Sequence, residues 1–461
     1  MKANYFMKGI SLALAAGIVA AGMTGCGKKE ETGTRDGAAV INVWTGDTGS
    51  KLIFEDAISE YNEGEGKKAG IKIVYEAKEN LSQSMTVALQ TKQAPEIFMA
   101  GDVAEYSEQG YIAAIDDLPG GAELIDSKKD YLLENKQMYK GKTYSIPFGT
   151  NTYGLIYNKD MFKEAGIVDE NGEAKPPQTI AEMVEDAKKL TDAKSGKYGF
   201  IIPLKWGGMF GTDFGNAAAA SSARSGYDPA TGKYDYSGFA EVLNAVMQMK
   251  ADKSIMPGAE GLDNDPARSR FAEGKIGMKY GVSWDVGVLT KQFPAKCDWS
   301  VAPLPKGADG KDYWQGLNVN TGYKISKDGV DKIGADKIMT AYKYLVGEEL
   351  QKKIYEKGAN LPLEASIVDS VKSDNLPKGW KEFAELIKIS KPAPIAAKVD
   401  ISGETDFGVD FVNNVWTGKK SVEDAINDAN RIYNAGVEKY YSLHTDADIN
   451  DVITADYTRE R

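Results

Sequence analysis

The chain has 461 residues, 42% hydrophobic and 27% charged, a composition that suits a soluble globular protein of two domains and excludes collagen-like, coiled-coil and wholly disordered chains. Its 56 basic and 67 acidic residues give a net charge of -11, so the clustered basic footprint that nucleic acid requires is missing and nucleic acid is not an expected partner. A single histidine, His444, leaves no material for a multi-histidine metal site, and any histidine-dependent triad would have to use it.

The first element is a leader. Lys2 and Lys8 precede an uncharged run of Ile, Leu, Ala, Val and Gly over residues 9–22. That run is too short to span a bilayer stably and has no stop-transfer flank, so residues 1–25 read as a secretory signal. It ends in Met23, Thr24, Gly25 and Cys26, which resembles the bacterial lipoprotein box, in which cleavage precedes a cysteine that has received a diacylglycerol. The resemblance implies lipidation at Cys26, with Met23 where leucine is commonest; an ordinary signal peptide with a chance cysteine is the alternative. Residues 26–38 are polar and read as a flexible tether between membrane lipid and a globular part. Cys297 is the only other cysteine, so with Cys26 lipidated no intramolecular disulfide can form and the core must hold the fold. With no histidine near it in sequence, Cys297 reads as an idle thiol rather than a nucleophile.

From residue 39 onward, short β-branched runs alternate with amphipathic helices. Residues 40–44 (VINVW) predict a buried strand, 51–62 a helix with Leu52, Ile53, Ile58 and Tyr61 on one side, and 71–75 (IKIVY) a second strand. Residues 81–90 predict a helix stopped before Pro95, and 96–99 a third strand. This βαβαβ winding makes an open sheet whose ligands sit at the carboxyl ends of the strands, here the loops that begin at Trp44 and Ala100. Further along, 153–157 predicts a strand, 160–165 a helix, and 180–190 a helix with Thr179 as its N-cap. Strands are expected at 199–202, 276–280 and 299–302, and long helices at 335–346 and 421–441. The Gly- and Asp-rich residues 225–238 are expected as a surface loop, and 169–173 (DENGE) as a turn rather than a calcium loop.

Five blocks, in register over residues 40–440, resemble the extracellular sugar-binding proteins of ABC importers, the family that includes the maltose- and maltodextrin-binding proteins. They are WTGDTGS (44–50), APEIFMAGDVAEYSEQGYIAAI (94–115), GKTYSIPFGTNTYGLIYNKDMFKEAGI (141–167), FAEGKIGMKYGVSW (271–284) and WSVAPLPKG (299–307). The resemblance implies a type II periplasmic-binding-protein-like α/β fold, with two open sheets in two lobes that close by hinge motion on a ligand between them. It implies lobe 1 at residues 39–149 and 315–365, and lobe 2 at 150–314 and 366–461. It also implies a monomeric, non-catalytic receptor without a cofactor, anchored through Cys26 outside the cell membrane, that captures an oligosaccharide and delivers it to a membrane permease.

A sugar offers apolar C–H faces and a ring of hydroxyls, so its site needs aromatic plates and carboxylates or amides. Trp44, Trp206, Trp284 and Trp314 sit at turn-like or strand-end positions, where packing alone would also explain them. The resemblance places Trp284 where the family stacks an aromatic on sugar, and Trp314 where the chain re-enters lobe 1. Asp47 and Asp102 are expected at the ends of the first and third strands, as ligand groups or as helix caps. Asn151 and Tyr153 fall in the interlobe segment as ligand or hinge residues, and Asp285 adjoins Trp284. Two other functions stay open. A glycoside hydrolase would need two carboxylates about 5 to 9 Å apart, and no segment carries a hydrolase signature. A surface adhesin would use exposed aromatics on a polymer. Polyamine, peptide or iron substrates fit less well, because those family blocks differ.

Overall fold

The computed structural model describes residues 37–207, 209–372, 376–455 and 457–461; the leader, Cys26 and nearly all of the tether lie outside the described residues. The first sheet is built on Ala39–Thr45, which is buried along its whole length, as expected of a strand covered on both faces. It pairs in parallel with Ile71–Ala77 on one side and Ile97–Phe98 on the other. Tyr323–Ile325, antiparallel to both of its neighbours, and Ser145–Ile146 complete the sheet. Alternation along the strands sorts the side chains. Ile41, Val43, Ile73 and Tyr75 pack under helices Lys51–Glu63 and Ala335–Val346, while Trp44 and Phe98 meet Met85 and Ala88 of Leu81–Gln90 on the other face.

The second sheet has Thr150–Asn158 at its centre. Ile276–Val282 runs antiparallel along one side of it, with Tyr198–Phe200 beyond. Gln315–Val319 and Trp299–Ala302 share the other side, and Ser390–Lys391 lies outermost. Tyr153, Leu155 and Tyr157 enter one core and Ile156 the other. Helix Ile180–Lys189 covers this sheet and starts, as expected, at Thr179, in a capping box with Glu182. The helix Val422–Leu443 closes the lobe, with the Ser421 hydroxyl accepting the Asp424 N–H at 3.0 Å.

Two loop expectations met different outcomes. Residues 169–173 form a turn in which one Asp169 oxygen accepts the N–H groups of Asn171 and Glu173. Residues 225–238 are not a plain surface loop: Gly226–Asp228 and Lys233–Asp235 pair as a hairpin. Gly and Asp serve its turn, but Tyr234 and Tyr236 bury their rings against Tyr433 of the last long helix, which the local composition hides.

The chain passes between the sheets three times. It leaves the first at Ile146 and enters the second at Thr150, and it returns between Val319 and Tyr323. Gln315–Val319, expected to open the return to lobe 1, thus pairs within the second sheet instead, because Leu317 and Val319 continue its ladder opposite Thr152 and Thr150. The third passage follows Ile354, which lies in the first core, and reaches Leu361 in the second, where the Leu361 carbonyl accepts the Thr150 N–H at 2.9 Å. Asn320 ties the first two passages together, its side-chain oxygen accepting from the N–H groups of Phe148 and Gly322. Gly322 must be glycine: its φ is +72°, and a Cβ there would lie 2.3 Å from the Ile146 carbonyl oxygen.

Candidate ligand-binding cleft

The carboxyl ends of Ala39–Thr45 and Ile97–Phe98 point to the same end of the first sheet as Ile146, where the chain crosses over. In the second sheet that end is marked by Asn151, Val282 and Val319. Loops from both sheets therefore face one interlobe cleft, where hinged two-lobe proteins hold ligands.

Lobe 1 presents two carboxylates. Asp47 is half-buried; its N–H donates to Thr45 Oγ1 at 3.2 Å, and its Oδ1 accepts the Ser50 N–H at 3.0 Å. Asp102 is exposed and caps Val103–Glu108, its Oδ1 accepting the Glu105 N–H at 2.9 Å. Each side chain thus fixes its own loop with one oxygen and leaves the other unbonded among the described residues. Gly101 aims Asp102 off the strand: its φ is +78°, and a Cβ would sit 2.2 Å from the Tyr106 ring.

Lobe 2 contributes amides and aromatic rings. Asn151 Oδ1 accepts the Ser283 hydroxyl at 2.8 Å, and Asn318 stands opposite Asn151 on the neighbouring strand. Tyr153 is buried beside Asn318 and Asn216; burial first, then the Asp213 charge, keeps its hydroxyl protonated. Trp284, two residues beyond Val282, is 40% exposed, whereas the other six tryptophans are buried or half-buried. Trp206 follows Tyr198–Phe200 at the same end of the sheet and is half-buried against the lobe 2 core.

Two expected site residues lie elsewhere. Trp44 is 5% exposed, packed among Met85, Phe98 and Tyr106 with Lys78 Nζ 3.7 Å from its ring centre, so both faces are occupied. Asp285 is 2% exposed and accepts from Lys279 Nζ at 2.8 Å and Arg268 Nε at 2.8 Å. Burial alone would push its carboxyl up, but Lys279 and Arg268 more than offset this and hold it below the ordinary range. Trp314 precedes Gln315–Val319 and lines one hollow of about 210 Å³ with Asn216, Tyr227, Lys391 and Tyr457, and a second with Leu132 and Glu134 of lobe 1.

Asn318, Ser283, Asn216 and Asp213 were not anticipated. Asn318 carried a signal, a polar side chain inside a strand ladder two residues before Asn320, but its partner Asn151 is distant in sequence. Asp213 is buried near Tyr153 in the wide-turned segment Phe210–Phe214, and burial, against the pull of Lys279, raises its carboxyl to about 6. No group of three or more His, Cys, Asp or Glu among the described residues could hold a metal ion. Burial raises the Cys297 thiol to about 11, far from a reactive thiolate, and His444 lies exposed against the Tyr440 ring. No helix among the described residues is long and apolar enough to cross a membrane.

Residues 56–384 match the family of bacterial extracellular solute-binding proteins. The maltotriose-binding protein of Pyrococcus abyssi is 26% identical over 292 residues, 60% of this chain and 56% of that protein. The sn-glycerol-3-phosphate-binding periplasmic protein of Yersinia enterocolitica is 23% identical over 306 residues, 63% of this chain and 66% of that protein. The chain thus spans between half and two thirds of the length of these relatives. Among solved structures, the GacH receptor of Streptomyces glaucescens, known unliganded and with acarbose, superposes with a TM-score of 0.61 at 20% identity, covering 89% of this chain and all of the receptor. The two-sheet fold is shared with that receptor and the family match extends over well more than half of the sequence, so the chain belongs to the bacterial extracellular solute-binding proteins.

Proposed function

We propose that the protein is the receptor of an ABC importer, closing its two lobes on an oligosaccharide and passing it to a permease, while lipid on Cys26 holds it outside the cell membrane. The observation that carries the reading is Trp284: a large indole left 40% exposed at the cleft end of a fully buried strand. Exposure of such an apolar plate is unfavourable unless a ligand covers it, and a pyranose face is a matching cover. The free oxygens of Asp47 and Asp102 at the strand ends of lobe 1 would suit paired sugar hydroxyls, as would the Asn151 and Asn318 amides on neighbouring strands of lobe 2. Two carboxylates favour a neutral polyol over a phosphate ester, so among the ligands named for its relatives the maltotriose type is preferred to glycerol phosphate. The role is non-catalytic, in keeping with relatives named as binding proteins.

A thermal-shift panel of mono- and oligosaccharides, with glycerol 3-phosphate as a contrast, tests the reading. A sugar at 100 times its dissociation constant should stabilise the protein by about 2.7 kcal/mol and be recovered uncleaved. No stabilisation by any member of a broad panel would defeat it, and cleavage of the bound sugar would favour an enzyme.

A further inference from the structure

Lobe 2 fixes the direction of one amide at the cleft end of its central strand. Asn151, the second residue of Thr150–Asn158, is half-buried, and its Oδ1 accepts the Ser283 hydroxyl at 2.8 Å. Ser283 is 0% exposed, and among the described residues its hydroxyl makes no other hydrogen bond. That decides which way the amide lies. Turned over, Asn151 would offer Nδ2 to the serine oxygen, and the buried hydroxyl hydrogen would lose its acceptor, a greater loss than an unused lone pair. With Oδ1 committed, Nδ2 has no partner among the described residues and is not shut away from solvent. The same serine anchors Trp284. Its N–H donates to the Thr152 carbonyl at 3.1 Å, which carries the ladder between Ile276–Val282 and Thr150–Asn158 one residue further and brings Trp284 level with Asn151. Its carbonyl accepts the Val286 N–H at 3.2 Å and closes the turn.

We infer that Ser283 is a positioning residue for ligand capture: by holding the Asn151 carbonyl, it turns the amide N–H groups toward the ligand, beside the Trp284 indole. This role rests on the reading that Asn151 and Trp284 line the ligand cleft. Its consequence is a division of labour between the lobes. The ionised carboxylates of Asp47 and Asp102 in lobe 1 only accept hydrogen bonds, and Asn151, so held, only donates. A hydroxyl donates and accepts at once, so a polyol satisfies both lobes. An ammonium would leave the amide without an acceptor, and a phosphate dianion would leave the carboxylates without a donor. Without the Ser283 hydroxyl the amide turns over freely and this preference relaxes.

Titration calorimetry of the full chain with the most stabilising sugar of the panel, on wild type, Ser283→Ala, Asn151→Ala and the double variant, tests this. Ser283→Ala should bind roughly fivefold more weakly than wild type, the worth of one directed hydrogen bond, and Asn151→Ala about tenfold more weakly. The double variant should bind no more weakly than Asn151→Ala alone, because Ser283 acts only through the amide. A serine that merely packs beneath the turn would instead give losses that multiply. Ser283→Thr, which keeps the hydroxyl, should recover most of the affinity; Ser283→Cys, a near-isostere that donates weakly, should fall between serine and alanine, and serves if threonine does not fit the buried site. Wild-type affinity in Ser283→Ala, or multiplied losses in the double variant, would overturn the role of Ser283 and leave the receptor reading intact. A wild type that binds no sugar of the panel would defeat that reading and this role with it.

Discussion

Trp284 and Asp285 are adjacent in sequence and have opposite fates. Trp284 is 40% exposed and belongs to none of the hydrophobic clusters among the described residues, so its loss should be felt in binding: Trp284→Ala should weaken the best sugar by about 2 to 4 kcal/mol, roughly 30-fold or more. Trp284→Phe, which keeps a smaller plate, should lose less. The melting temperature without sugar should stay near wild type, since little core packing is removed; a large drop, or unchanged affinity, would make the indole a packing residue. Asp285 is the reverse case. Asp285→Ala removes the ion partner of Lys279, 4% exposed, and leaves Arg268, 12% exposed, with Asp265 alone, and should destabilise the fold by about 3 to 5 kcal/mol in urea unfolding. An unchanged midpoint there would refute the buried ion triad as a structural element.

At the scale of elements, the passages between lobes are held by particular groups, and Gly322 is the least replaceable. Gly322→Ala forces a Cβ against the Ile146 carbonyl at a positive φ, and should cost at least ~2 kcal/mol and slow closure, read from urea midpoints and stopped-flow fluorescence. Wild-type stability would mean that the crossing relaxes freely. Strands such as 40–44 and 71–75 were legible because their patterns are local: the first is buried along its length and the second alternates buried and more exposed residues. Thr179 was legible as a cap because its partner Glu182 lies three residues on. The hairpin at 226–235 was not, since the helix that makes it worth forming comes almost 200 residues later. Site residues followed the same rule. Asp47 and Asp102 follow the first and third strands as their local pattern predicted, but the face on which Trp44 packs and the cations that hold Asp285 depend on long-range pairing.

Among the described residues the two large sheets are joined by three passages. If Cys26 carries the lipid, Cys26→Ala should release the protein from the membrane pellet while sugar affinity stays unchanged, because the tether separates anchor from fold. Retention in the pellet would contradict the lipoprotein assignment. The central claim is that the cleft between the lobes captures a sugar by closing on it. Small-angle scattering of the purified chain with and without a saturating, stabilising oligosaccharide tests it most directly. A hinged receptor predicts a smaller radius of gyration in the sugar-bound state; a bound sugar with an unchanged scattering curve would contradict closure and favour an open adhesin-like surface.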